Sequence, residues 1–328
     1  MNRTEKYLSA LRQIFEGARD KHEANLKSAQ ALSEMSGDAP FFTEILTAHL
    51  QKAGSLNTLH YPVVGIDIAL NEYFGLVANC WIPLPDRSTE LSTKAIHHHG
   101  DMLLTTVTAF GAGYEHWMFK TPAVVDAEKE IYHLELIERA PHPRHHVAFV
   151  DAYVAHLPLF PPDMTITYAL WSSRFPTTWK DKVKRFPGVS HNSRRLKELA
   201  VRLKLAKHLE IKVVEYFDFY PTANGFCGIR NREEFELTSN EDYLMSLFHV
   251  IQQTENEGLA PVIRKKLQSG EKVENPGLVS ELLSNLETGR EIRGRLAPAH
   301  YQVPKANFRK NEILAALDAQ DLRFGGQV

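Results

Sequence analysis

His97, His98 and His99 stand together in the run from Ile96 to Leu104, between two apolar segments. On an extended strand successive side chains point to opposite faces, so His97 and His99 share one direction and His98 takes the other. Two imidazoles on one strand face grip a metal ion at two points, and imidazole suits Fe, Zn, Cu and Ni alike. The bland alternative is a polar loop that is rich in histidine by chance. Two histidines seldom hold a metal alone, so a third ligand is needed from a distant, facing strand. His156, in Val154-Ala155-His156-Leu157-Pro158, is the candidate.

The elements that must bring these residues together follow from periodicity. Residues 1–58 read as a helical segment: Leu8, Leu11, Phe15 and Ala18 repeat at helical spacing, as do Ile45, Leu46 and Leu50 after Pro40. Residues 59–176 change character. Val63–Ile66, Tyr73–Trp81, Leu103–Ala109, Tyr114–Phe119, Tyr132–Ile137, Val147–Val154 and Thr165–Trp171 are short runs rich in β-branched and aromatic residues. Turn residues separate them, including Gly111-Ala112-Gly113, Pro141-His142-Pro143 and Pro161-Pro162-Asp163. Many short strands at this spacing predict a sandwich or barrel. His145 and His146 would begin the strand that ends at His156. Residues 177–328 read as a mostly helical extension. Leu196, Leu199 and Leu203 keep helical spacing, and 211–220 is a further strand running into Pro221. The sequence Thr238-Ser239-Asn240-Glu241 has capping-box form ahead of Leu244, Leu247, Phe248 and Ile251. A last segment opens at Pro276-Gly277 and ends near Gly289. The stretch 180–207 is locally basic, which reads first as a solvated helix face and second as an anion or partner site.

Composition narrows the function classes. A formal net charge of −2 gives no reason to expect nucleic acid or an anionic membrane as partner. The longest apolar runs are too short to span a bilayer, and the N-terminus lacks the apolar stretch of a secretory signal. Cys80 and Cys227 form no C-x-x-C pair, so a reducing cytoplasm is the default setting.

An early His-x-His strand followed by a single histidine on a later strand fits a cupin barrel. The stretch 73–173 resembles the cupin superfamily and, within it, the thiol dioxygenases of the cysteine dioxygenase type. Ile96-His97-His98-His99 is similar to that family's Ile-His-x-His, and residues 148–156 resemble the strand that presents its third histidine. The resemblance implies an α+β protein with a double-stranded β-helix (jelly-roll) core. It further implies a mononuclear Fe(II) held by His97, His99 and His156. An ordinary cupin adds a glutamate four to five residues after His-x-His; here Leu103 and Leu104 stand there. Three neutral imidazoles leave the metal its full charge and open positions, which favours iron over a structural zinc site. The family's substrate-binding arginine has no counterpart in Val63–Ile66, and its Ser-His-Tyr relay is not found. The resemblance therefore carries the metal site and not cysteine as substrate.

Further residues are candidates for supporting roles. Asp101 shares the parity of His97 and His99 and is placed to orient a ligand or bind substrate. Tyr153, three residues before His156, is a possible phenolic donor, and His146 a hydrogen-bond partner for substrate. Leu104, Phe149 and Trp171 would shape the pocket, Tyr168 would line it or simply pack, and His116 would face solvent or a helix. Arg290, Arg293 and Arg295 form a cationic cluster that would close over the barrel mouth. Together these readings predict a cytoplasmic Fe(II) oxygenase acting on a small metal-coordinating substrate with O2. The alternatives are a Zn, Ni or Mn isomerase, lyase or hydrolase on the same site, and a non-catalytic cupin that binds a ligand or partner. Oligomeric state stays open.

Overall fold

Helix α1 (Arg3–Gly17) starts where the Asn2 side chain accepts the Glu5 backbone N–H, and it buries Tyr7, Leu11 and Phe15 at four-residue spacing. Asp20 caps α2 (Lys21–Lys27) in the same way. Then come α3 (Ala29–Ser36) and α4 (Ala39–Gln51), the latter with Pro40 in its first turn, where a missing N–H costs nothing. The computed structural model describes residues 2–58, 63–83, 96–173, 215–222, 225–231 and 239–295, with isolated positions near the C-terminus. The basic stretch 180–207, and with it the Leu196, Leu199 and Leu203 repeat, lies outside the described residues.

The strands form two antiparallel sheets. One runs β1 (Val63–Leu70), β2 (Gly75–Trp81), β11 (Thr165–Ser173), β4 (Met102–Phe110), β9 (Val147–Val150). The other runs β6 (Ala123–Asp126), β7 (Ile131–His133), β13 (Gly225–Asn231), β12 (Glu215–Thr222), β3 (Ile96–His98), β10 (Ala155–Pro158), β5 (Tyr114–Phe119), β8 (Leu136–His142). Two antiparallel sheets with helices at both ends make this an α+β protein with a double-stranded β-helix core. Gly111 and Gly113 make the β4–β5 turn with φ of +80° and +83°, and a Cβ on Gly113 would strike the His142 carbonyl.

Alternation along the strands decides which side chains face inward. On β2, β4 and β11 the residues Leu76, Ala78, Cys80, Val107, Ile166, Tyr168 and Leu170 belong to one large core with α1 and α4. That core also takes in α5 (Asn240–Gln253), α6 (Ala260–Gln268) and α7 (Pro276–Thr288). The intervening residues, Asn79, Trp81, Leu104, Thr106, Thr167, Ala169 and Trp171, are thereby turned toward the second sheet. Ser239 caps α5 by accepting the Asp242 N–H, and α7 ends on left-handed Gly289, both as the sequence signals.

Two strand readings are corrected. Val147–Val154 is not one strand ending at His156. The chain turns at 151–154 and crosses from β9, in one sheet, to β10, in the other, with Tyr153 at φ +62°. Tyr132–Ile137 is likewise divided between β7 and β8. The β12–β13 hairpin lies beyond residue 176 yet pairs with β3, so sheet pairing continues into the region read as a helical extension.

Candidate metal centre

The three histidines converge because the residues beside them are buried the other way. Ile96, Trp117, Ala155 and Leu157 are fully buried in one apolar cluster with Phe119 and Phe217. Burying a side chain of the size of Ile, Leu or Trp contributes about 1.5–3 kcal/mol or more. A one-residue slip would exchange these groups for histidines, so the register is held. His97, His116 and His156 therefore point to the opposite face. Strand β10 lies between β3 and β5, with His156 directly across from His97. The ring centroids of His97 and His156 are 4.4 Å apart, those of His97 and His99 4.8 Å, and those of His99 and His156 5.1 Å.

One ligand atom from each of His97, His99 and His156 lies within 4.8 Å of the others. His99 Nε2 and His156 Nε2 are 2.9 Å apart. Two nitrogens at about 2.0–2.1 Å from one cation and at right angles are separated by about 2.9 Å, so His99 and His156 fit a single ion, with His97 close enough to join them after a small adjustment. Among the described residues no carboxylate joins the cluster. His98 points away: its Nδ1 accepts the Gly100 N–H and its ring meets Phe217 and Tyr153.

The sequence places His116 at solvent or against a helix. It is instead 4% exposed, with Nε2 2.8 Å from His156 Nδ1. Burial lowers its pKa to about 4, so the ring is neutral at pH 7 and can accept a hydrogen bond. With a cation on His156 Nε2, Nδ1 would carry the proton and donate to His116 Nε2, which would set both tautomer and ring angle. His116 is thus placed to position His156, a contact that the sequence reading missed. The available signal was parity on β5, where His116 alternates with the core residue Trp117. His116→Leu is expected to weaken cobalt(II) binding about 10–100-fold. His116→Gln, which restores an acceptor, should recover most of the loss in a chelator competition titration.

The cluster opens on a chamber of about 220 Å³ between the sheets, walled by Trp81, Tyr114, Phe160 and Trp171 with Leu104, Asn79, Thr106 and Thr167. His99 and Trp171 also border a groove of about 880 Å³ that reaches Lys21 and Met102. Leu104 and Trp171 shape the chamber as the sequence suggested, whereas Phe149 packs against His22 and Tyr168 is buried against Phe41. Asp101 is 8% exposed and accepts a hydrogen bond from the Ser173 hydroxyl. None of the three supporting candidates, Asp101, Tyr153 and His146, lines the chamber. Tyr153 is 39% exposed on the β9–β10 turn, and His146 sits 3.0 Å from His142, nitrogen to nitrogen, at the start of β9. The arginine cluster is also elsewhere: Arg293 pairs with Glu291, and Arg295 with Glu241 and Asp242 at the start of α5.

No family model matches the chain, and no curated protein matches it. Several solved structures are similar over about a third of it. A protein from Thermus thermophilus aligns at 11% identity and TM-score 0.23, covering 34% of this chain and 85% of its own. An uncharacterized conserved protein with a double-stranded β-helix domain from Klebsiella pneumoniae aligns at 10% identity and TM-score 0.22, covering 35% and 80%. Hydroxypropylphosphonic acid epoxidase from S. wedmorenis aligns at 15% identity and TM-score 0.20, covering 33% of this chain and only half of that enzyme, 50%. Among the described residues no helix is long and apolar enough to cross a membrane.

Proposed function

We propose that the chain is a non-haem Fe(II) oxygenase of the cysteine dioxygenase type, which oxidises a small metal-coordinating substrate with O2. The observation that carries this reading is the donor set: three neutral imidazoles with no carboxylate among the described residues. Bound there, Fe(II) would keep its charge and supply adjacent positions for an anionic substrate and for dioxygen. The chain's own residues do the rest. His97, His99 and His156 hold the site, and His116 orients His156. Trp81, Phe160 and Trp171 wall the chamber with apolar surface. Two cysteines in 328 residues, with Cys80 a buried free thiol, support a reducing cytoplasmic setting.

Protein purified from cells grown without added metal should contain close to one iron per chain. It should consume oxygen only when a coordinating substrate is present. Stoichiometric Zn, Ni or Mn without oxygen uptake would favour Lewis-acid chemistry on the same residues, and absence of any stoichiometric metal would leave a binding module.

A further inference from the structure

We propose that the chamber takes a small, flat monoanion — a phenolate, enolate or aryl thiolate — that coordinates through its one charged atom and bears no second charge. This rests on the metal-centre reading above and goes beyond it to the class of ligand.

Three features of the walls carry the inference. First, among the described residues lining the chamber there is no Lys, Arg, Asp or Glu. The coordinating imidazoles are neutral donors, and the nearest charged groups among the described residues that border the site, Lys21, Lys52 and Asp67, line the neighbouring groove, so a ligand held within the chamber meets the cation as its one described charge. A second ionised group held within the chamber would lie unpaired against aromatic surface, which is unfavourable. Second, the walls are flat. Trp81 stands edge-on to Phe160 with centroids 5.5 Å apart and is pinned by donating from Nε1 to Thr167 Oγ1 at 3.1 Å, while Trp171 meets His99 at 4.4 Å. Fixed aromatic faces favour a planar apolar body. Third, the space is small. About 220 Å³ leaves room for one ring with a short substituent.

The polar groups agree. Thr167 is engaged by Trp81, and Tyr114 is hydrogen-bonded to Thr106. Asn79, on the inward face of β2, lines the chamber beside them. An amide suits a neutral carbonyl or hydroxyl on the ring and gives no counter-charge. An amino-acid thiol, with its carboxylate and ammonium, finds no charged partners among these walls.

The test uses the full chain loaded with cobalt(II), without oxygen, and reads the visible cobalt bands during titration. The probes are thiophenol, 3-mercaptopropionate and L-cysteine, which share a sulphur donor and differ in body and second charge. With affinities referred to the thiolate form of each probe, thiophenol is expected to bind at least tenfold more tightly than either of the others, although its thiolate is the weaker donor. Asn79→Lys, which supplies a cation to the chamber, should reverse the order of thiophenol and 3-mercaptopropionate. Equal affinities, or tighter binding of 3-mercaptopropionate or L-cysteine by the unaltered chain, overturns the proposal. Thiophenol preference in a protein whose iron form never consumes oxygen upholds the ligand class and sinks the oxygenase reading. Failure to bind cobalt at all sinks both.

Discussion

His99→Ala is expected to leave a folded protein that no longer retains iron and no longer takes up oxygen. His99 lies just past the end of β3, partly exposed, with its ring against Trp171 and its Nε2 2.9 Å from His156 Nε2. It belongs to none of the apolar clusters, so removing it opens no core cavity. It does remove one of three donors. The loss in metal affinity should exceed the ~10–100-fold that a neighbour of a ligand costs. Elemental analysis after dialysis reads this directly, and thermal unfolding reads it independently. Metal at a thousand times its Kd stabilises a native state by about 4 kcal/mol, and that increment should vanish in the variant while the metal-free melting temperature stays close to that of the parent. Stoichiometric iron together with undiminished oxygen uptake in His99→Ala would remove the basis for the metal centre.

The part of this centre that was legible in the sequence is the part set by short-range alternation. His97 and His99 could be assigned to one face because Ile96 and His98 must take the other, and the structure buries Ile96 away from the centre as that logic requires. His156 was legible for the same reason, flanked by the apolar Ala155 and Leu157. What alternation cannot show is where a strand changes sheets. Asp151-Ala152-Tyr153-Val154 reads as a continuation of Val147–Val150. The chain turns there because β9 finds its partner in β4 while β10 finds β3 and β5. That choice depends on residues distant in sequence, and it moves Tyr153 and His146 off the chamber. His116 was overlooked for the complementary reason. Its parity was readable, but its contact with His156 exists only once β5 and β10 are neighbours. The β12–β13 hairpin shows the limit again: its strand character was legible in part, its place beside β3 was not.

A second large effect should come from acid. His49 and His142 are buried as neutral rings, 9% and 1% exposed. Burial, with Lys52 a lesser contributor, lowers the pKa of His49 to about 4; burial, with the neighbouring His116 and His146, lowers that of His142 to about 3. His49 Nε2 is 2.9 Å from the Tyr243 hydroxyl, which donates to the Ser55 carbonyl, so the neutral ring serves as the donor to Tyr243. His142 has a buried Nε2 with no hydrogen-bond partner among the described residues, so a proton there would be an uncompensated charge. An unfolded chain protonates both rings below about pH 6.5, whereas the native state resists until pH about 4 and 3. Between about pH 6 and pH 4.5 unfolding therefore takes up about two protons on their account. Stability should then fall on acidification by about 2.7 kcal/mol per pH unit from this pair. Urea unfolding of metal-free protein across that range measures the slope. His49→Gln keeps an amide to bond Tyr243, and His142→Gln removes the second titrating ring. Each should flatten the curve by about one proton, or ~1.4 kcal/mol per pH unit. A slope that the double variant leaves unchanged would mean that neither ring is held neutral by the fold.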